Sequence, residues 1–325
     1  MLELIKLKKE NLNRLEPFFY LREDGFLFPN KKITEQKRRH YILSELKKED
    51  KILAVTEKEK IVGCASLKKA TWDSQHFGLD MGSLSIKVFD KSSSRKQQAV
   101  DKLLKGMLEI SAKKNIKHLA VKVNPFQIEE IQGLERNGFY YTATLISFII
   151  DLEKYNFALE DEKALLISSF EKEDLSRLKK IAFDSFRDKN IWTDRFHADP
   201  YLDKKKADKL YEKWLVNCCS GQAADKVFVA RIKQQPVGFI SAKYDKDLEK
   251  KTGIKITTVP LNAVDEKYRG RGIYRALVCE LLSILKNENK DYAMITTQLT
   301  TKAIAKVWMG LGAKVDSSKI VFHKV

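Results

Sequence analysis

The chain repeats itself. Lys51–Ser66 aligns without a gap onto Lys226–Ser241, and Gly63 and Gly238 are 175 residues apart. Further on, Gly138 in Glu135–Phe139 corresponds to Gly312 in Met309–Ala313, an offset of 174. An offset kept over such a distance requires two copies of one structural unit. Each copy reads as a hairpin, a long strand, a helix, a strand, a helix and a final strand. That order predicts an α/β (α+β) fold in which mixed, mostly antiparallel, twisted sheets are flanked by helices. Phe148–Leu152 ends a strand and Ala164–Ser168 begins another. The boundary therefore falls near Asp151–Leu165 and divides the chain into 1–155 and 156–325. A length of 325 residues suits two domains.

The second copy carries the most specific local signal. The apolar run Ile254–Val264 reads as a strand, and Ile273, Leu277, Leu281 and Ile284 recur at helical spacing. Between them lie Arg269, Gly270, Arg271 and Gly272. A strand, a glycine turn and a helix start make an anion site, because the first helical N–H groups lack internal partners and carry the positive end of the dipole. The glycines let a phosphate approach the main chain, and the arginines add bidentate donors. The dinucleotide fingerprint fails, since its third glycine position holds Arg275. The Walker loop fails for want of Gly-Lys-Ser/Thr. Subtracting 175 from Gly272 lands on Gln97, within Ser92–Gln98, where the first copy has no glycine. The phosphate site is thus expected in the second copy only.

Composition narrows the partners. The net charge is +17, from 61 Lys and Arg against 44 Asp and Glu. A balance this basic fits a solvated lysine surface, steering of polyanionic small molecules, or nucleic acid as the weaker alternative. Lysines are interspersed with acids or grouped in short runs, not gathered in one block. No apolar run reaches 18 residues and no secretory leader is evident, so a soluble cytoplasmic protein without a membrane span is expected. Cys64, Cys218, Cys219 and Cys279 lack metal or redox spacing and read as reduced thiols. Five scattered histidines suggest no metal site. Oligomeric state is open at this level.

Two segments combine aromatic, charged and amide side chains in connections, where binding groups tend to sit. One is Ala70–Leu79, with Trp72, Asp73 and Phe77. The other is Thr193–Tyr201, with Arg195, His197 and Asp199. Local packing explains them equally well on composition: Trp72 and Phe77 as a plug, Asp199-Pro200 as a helix start.

Arg-x-x-Gly-x-(small) at Arg269, Gly272 and Tyr274 resembles the pyrophosphate loop of the GNAT acyltransferase superfamily. Trp308–Ala313 is similar to that family's closing helix and turn. Tyr274 departs from the usual Gly or Ala. The resemblance implies tandem GNAT-like domains with a degenerate first copy. It also implies acetyl-CoA as co-substrate, held by Ala263, Val264, Arg269, Gly270, Arg271, Gly272, Ile273 and Tyr274. Trp-Asp-Ser-x-x-Phe-Gly at 72–78, Arg-Phe-x-x-Asp-Pro at 195–200 and Gly-x-Gly-Ile-Tyr at 270–274 together resemble the TDP-fucosamine N-acetyltransferase group. That likeness implies a small-molecule acceptor, the amino group of an anionic nucleotide-linked deoxysugar, contacted by Trp72, Asp73, Phe77, Arg195 and Asp199.

The family's tail-helix tyrosine, its general acid, is replaced here by Trp308, whose indole is no acid near neutral pH. Tyr274 and His197 are the candidate replacements. The backbone N–H of Val264 is expected to polarise the thioester carbonyl, and His197 or Asp199 to remove the acceptor's proton. Two other readings stand beside this one. The first is a GNAT enzyme acting on a peptide, polyamine or other small amine. The second is a basic nucleic-acid-binding or regulatory protein on the same double fold.

Overall fold

The computed structural model describes residues 1–18, 33–89, 93–156, 165–187 and 194–325. The first half runs β1 (Leu2–Leu7), α1 (Glu35–Leu46), β2 (Lys51–Glu57), β3 (Lys60–Lys69), α2 (Thr71–Phe77), β4 (Met81–Val88), α3 (Ser93–Lys113), β5 (His118–Val123), α4 (Ile128–Arg136) and β6 (Tyr140–Asp151). The second runs β7 (Leu166–Ser169), α5 (Leu175–Phe186), α6 (Lys204–Cys219), β8 (Lys226–Ile232), β9 (Gln235–Tyr244), α7 (Lys246–Thr252), β10 (Ile256–Val259), β11 (Asn262–Val264), α8 (Ile273–Asn287), β12 (Tyr292–Gln298), α9 (Lys302–Gly310) and β13 (Lys314–Lys324).

The repeat extends to backbone detail. Lys58-Glu59 and Lys233-Gln234 turn the two hairpins with positive φ, as do Asn115 and Asn289 after α3 and α8. Gly78 and Gly253 close α2 and α7 in the left-handed region. Both hairpins also shift register at matching points, Val55/Thr56 and Ala230/Arg231. Positive φ suits hairpin turns because it follows the strands' right-handed twist. Four non-glycine residues accept its cost in the two hairpins.

The strands form one mixed sheet in the order β1-β2-β3-β4-β5-β13-β6-β12-β10-β9-β8-β7, with β11 attached to β9. Parallel pairing occurs at β4–β5 and β10–β12. The last strands are exchanged: β13 pairs antiparallel with β5 of the first half, and β6 with β12 of the second. The two half-sheets thereby join at the central β13–β6 pair.

Alternation along the central strands sends side chains to two faces. On one face Val121, Val123 and Phe322 enter the core under α3, while Phe148, Ile295 and Ile150 enter the core under α8 and α9. On the other, α5 and α6 cover Val227, Val229, Phe239 and Leu261, and the same core takes in Phe77 and Met81 of the first half. All four cysteines are free. No described helix is long and apolar enough to cross a membrane.

Candidate active site

The site begins with a break in a strand. β10 pairs with β12 only as far as Val259↔Ile295, and β11 then pairs with β9 alone. Pro260 stands at the break and has no N–H to give a ladder. Ser241 seals it: its hydroxyl donates to the Leu261 carbonyl at 2.7 Å and accepts from the Leu261 N–H at 2.9 Å. Beyond Ile295 the end of β12 thus faces a gap. The Ser241 N–H donates to Leu261, and the Asp265 N–H donates to Val237. By the alternation of an antiparallel ladder, the N–H groups of Asn262 and Val264 then point away from β9, toward the gap.

The glycine turn closes the end of this gap. Gly270 and Gly272 have φ of 76° and 78°, a region that costs other residues about 1–2 kcal/mol. A Cβ on Gly270 would meet nothing within 4 Å, so the backbone there faces open space. Gly272 is the N-cap of α8 and gives it no side-chain cap, which leaves the first N–H groups of the helix for an external acceptor. The observed donors fit a pyrophosphate. Arg269 also holds the turn together: Nε donates to the Val264 carbonyl at 3.1 Å and Nη2 to Ser185 at 3.1 Å. Arg177 of α5 pairs with Asp265 and fixes the strand exit. Arg271 lies over the Tyr268 ring.

Tyr274, in the first turn of α8, meets Trp308 of α9. The indole Nε1 donates to the Tyr274 hydroxyl at 3.0 Å, so the phenol oxygen accepts and its own proton remains to be donated. Burial raises the Tyr274 pKa well above that of an ordinary phenol, and the indole hydrogen bond opposes the rise. Trp308 is fully buried in the core under α8. Sequence reasoning treated these residues separately and missed the bond, because the helices that carry them are far apart in the chain.

The acceptor-side segments also come together. Trp72, Asp73, Arg195 and Phe196 line one cavity of about 320 Å³, with Trp214, Asn217 and Gln222. Arg195 lies 3.9 Å from Asp73 and stacks on Phe196. Trp72 packs between His76 and Trp214. The segment around Trp72 is a helix, not the connection expected, because Gly78 supplies a left-handed cap and its N–H returns to the Ser74 carbonyl. Lys206 of α6 then clamps the Phe77 carbonyl, and His76 Nε2 donates to the Lys206 carbonyl.

Three expected roles are corrected by the contacts. Phe77 is buried, stacked on Phe196 and edge-on to His76, so no ring face is left for a ligand. His197 has both ring nitrogens engaged, Nδ1 with Asp194 at 2.7 Å and Nε2 with Asp208 at 3.1 Å. Burial works against its charge, but the two carboxylates outweigh burial and raise its pKa; it is a clamped cation and not a free base or acid. Asp199 is fully buried, its Oδ2 accepting from His118 Nε2 at 2.8 Å and His323 Nδ1 at 2.7 Å. Its Oδ1 accepts from Tyr140 and the Tyr201 N–H, both at 2.9 Å. Burial opposes its charge, yet these donors hold the carboxyl well below the usual range, so it neither contacts an acceptor nor removes a proton. Two of the histidines that look scattered in the sequence therefore converge on one carboxylate. Thr193 lies outside the described residues.

Residues 185–312 match the model of the Acetyltransferase (GNAT) family. A comparison with curated protein sequences found no match. Among solved structures, the fold is similar to a GCN5-related N-acetyltransferase from Sphaerobacter thermophilus, at 11% identity and TM-score 0.64, covering 99% of this chain and 95% of that one. It is also similar to a tandem GNAT protein from the clavulanic acid biosynthesis pathway, at 11% identity and TM-score 0.56, covering 100% and 98%. A GCN5-related glucosamine N-acetyltransferase region of a fungal multi-domain β-N-acetylglucosaminidase matches at 12% identity and TM-score 0.62, covering 100% of this chain and 38% of that one. At such identities these likenesses bear on the fold. The chain thus has a mixed α/β fold like that of a solved tandem GNAT protein, and within its second half residues 185–312 match the Acetyltransferase (GNAT) family.

Proposed function

We propose that the protein is an N-acetyltransferase that moves an acetyl group from acetyl-CoA to a primary amine, the amino group of a nucleotide-linked amino-deoxysugar. The carrying observation is the parting of β11 from β12 above an uncapped, glycine-turned helix start. The division of labour follows the repeat: residues 156–325 hold the donor, and residues 1–155 contribute the acceptor side through α2. In the first half, the position equivalent to Gly272 is Gln97, inside α3 and bonded to Asp101, so the described residues there offer no second donor loop.

Acetyl-CoA supplies the activated acetyl group. Gly270, Gly272 and the first N–H groups of α8 bind its pyrophosphate, with charge from Arg269 and Arg271. The Val264 N–H polarises the acetyl carbonyl, an effect worth about 10²–10³ in rate for one well-placed donor. Tyr274 donates its proton toward the departing sulfur, its hydroxyl aimed by Trp308. A phenol with a raised pKa is a weak acid but remains a competent hydrogen-bond donor. His197 and Asp199 are committed elsewhere, so the acceptor loses its proton through water in the open groove. Trp72 and Asp73 meet the sugar, by stacking and by accepting from hydroxyls.

Gly272→Val should abolish measurable coenzyme A binding by calorimetry, while Gln97→Val should leave it unchanged. Equal loss from both would exclude a single donor site. Thiol release from acetyl-CoA across a panel of nucleotide-linked amino sugars, polyamines and peptides then decides the acceptor class.

A further inference from the structure

The strands part in both halves. In the first, β4 pairs with β5 only as far as Leu84↔Val121, and its last residues then follow β3 to Val88↔Gly63. In the second, the parting falls at Val259↔Ile295, and β11 follows β9 to Val264↔Gly238. Val88 therefore stands where Val264 stands. The surroundings of the two glycines agree. A Cβ on Gly63 would meet Val88 Cγ2 at 3.1 Å and the Lys87 carbonyl at 3.2 Å, and one on Gly238 would meet Val264 Cγ2 and the Ala263 carbonyl, both at 3.1 Å. The Phe89 N–H donates to Val62 as the Asp265 N–H donates to Val237. The Val88 N–H, like that of Val264, thus points away from its hairpin and into the gap.

The last helices of the two halves correspond as well. After α4 the Phe139 N–H returns to the Leu134 carbonyl, and after α9 the Ala313 N–H returns to the Trp308 carbonyl, both at 3.0 Å. Leu134 and Trp308 are thus equivalent, and both are fully buried. One turn earlier on the same face lie Glu130 and Ile304. Here the halves differ. Glu130 is 1% exposed, and its Oε1 accepts from the Val88 N–H at 3.2 Å. Ile304 packs on the core under α8 and has no acceptor to offer the Val264 N–H. A buried N–H needs an acceptor. The first half supplies one from its own chain, and the second leaves that place to a ligand.

We propose that the residue at this helix position decides whether a strand gap takes an acyl group. Glu130 fills the first gap with an oxygen of its own, set where an acyl carbonyl would lie. Ile304 leaves the Val264 N–H to the acetyl carbonyl of the thioester and so determines that the second gap accepts acetyl-CoA. This rests on the reading that the Val264 N–H polarises that carbonyl. Coenzyme A without its acetyl group needs no donor at this point. An acceptor built in at position 304 should therefore exclude acetyl-CoA while sparing coenzyme A.

The test uses the full chain and both gaps. Gln and Met are equally long, but only Gln brings a strong acceptor. Ile304→Gln should weaken acetyl-CoA relative to coenzyme A by at least about tenfold in calorimetry, and Ile304→Met should shift that ratio by less than about threefold. Equal ratios in the two variants overturn the role of position 304. In the first half, Glu130→Ala should lower the melting temperature, and propionate, which replaces the missing carboxyl, should recover most of the loss saturably. Chloride at equal ionic strength should not, and neither the wild type nor Glu130→Gln should gain from propionate. No recovery, or an equal gain in the wild type, overturns the occupied gap. Where Glu130→Ala does not fold, amide hydrogen exchange decides: the Val88 amide should exchange at least about tenfold faster in Glu130→Met than in Glu130→Gln, and equal rates overturn Glu130 as the occupant. A chain that binds coenzyme A but shows equal ratios sinks this inference alone. A wild-type chain that binds no coenzyme A sinks the donor reading and the role of Ile304 with it, while the propionate and exchange measurements use no coenzyme and judge Glu130 separately.

Discussion

Trp308 and Tyr274 show how one hydrogen bond links packing to chemistry. Trp308 is fully buried, and its only polar atom points at the Tyr274 oxygen. Trp308→Phe removes that donor and leaves a void beside Leu311 and the α8 core. Stability should fall by about 1–3 kcal/mol, read from denaturant unfolding. Tyr274→Phe keeps the ring and should cost less stability, while thiol release with a saturating acceptor drops several-fold. If Trp308 is a positioning residue that acts through the phenol, the double variant should turn over no more slowly than Tyr274→Phe alone. Additive losses in turnover would instead place the indole against the reacting atoms. The sequence marks Trp308 as a departure from the resembling family's tyrosine. It cannot show that this indole bonds to a hydroxyl from the neighbouring helix.

At the scale of elements, the Asp199 cluster joins three of them: His118 opens β5, His323 ends β13, and Asp199 precedes α6. It pins the exchanged strand to both halves. The groups facing His323 are Asp199, His118 and Arg195; burial first, then the charges of His118 and Arg195, push its pKa down to about 4 against the bond to Asp199. An imidazole with a folded pKa below its unfolded value of about 6.5 takes up protons on unfolding, so its neutral form favours the fold above that value. Stability should therefore fall as pH drops from about 6.5 toward 4, by about 3 kcal/mol for this group. His323→Gln should flatten the fall in that window, followed by guanidinium midpoints. His197 has the opposite sign: its raised pKa adds stability below about 6.5 that is lost as pH rises through the folded value. An unchanged slope in the His323 variant would mean that the cluster titrates through another member. The His323 environment was not legible from spacing, because Asp199 and His118 meet it only after the sheet closes; His197 instead takes its carboxylates locally, from Asp194 three residues before it and Asp208 eleven after. The hairpins, the glycine turn and α8 were legible because local rules decide them: turn residues, period and the glycine demand for positive φ.

For the whole molecule, the sequence repeat made the element order legible but not which copy supplies each final strand. β6 and β13 descend from the same repeat position and both run antiparallel to β5- and β12-type strands, so either pairing satisfies the local pattern. The structure chooses exchange. Chain connectivity then makes the two halves inseparable: without β13, β5 becomes an open edge, and without β6, β12 loses its antiparallel partner. Open edges of this length favour association over a stable monomer. Residues 1–155 or 156–325 expressed alone should therefore be aggregated or dimeric by size-exclusion chromatography, and mixing them during refolding should recover a monomeric pair. The intact chain should melt in a single calorimetric transition, because the core under α8 contains Phe148 and Ile150 of β6 while the core under α3 contains Phe322 of β13. Two resolved transitions, or a stable monomeric second half, would mean that each half keeps its own last strand in solution.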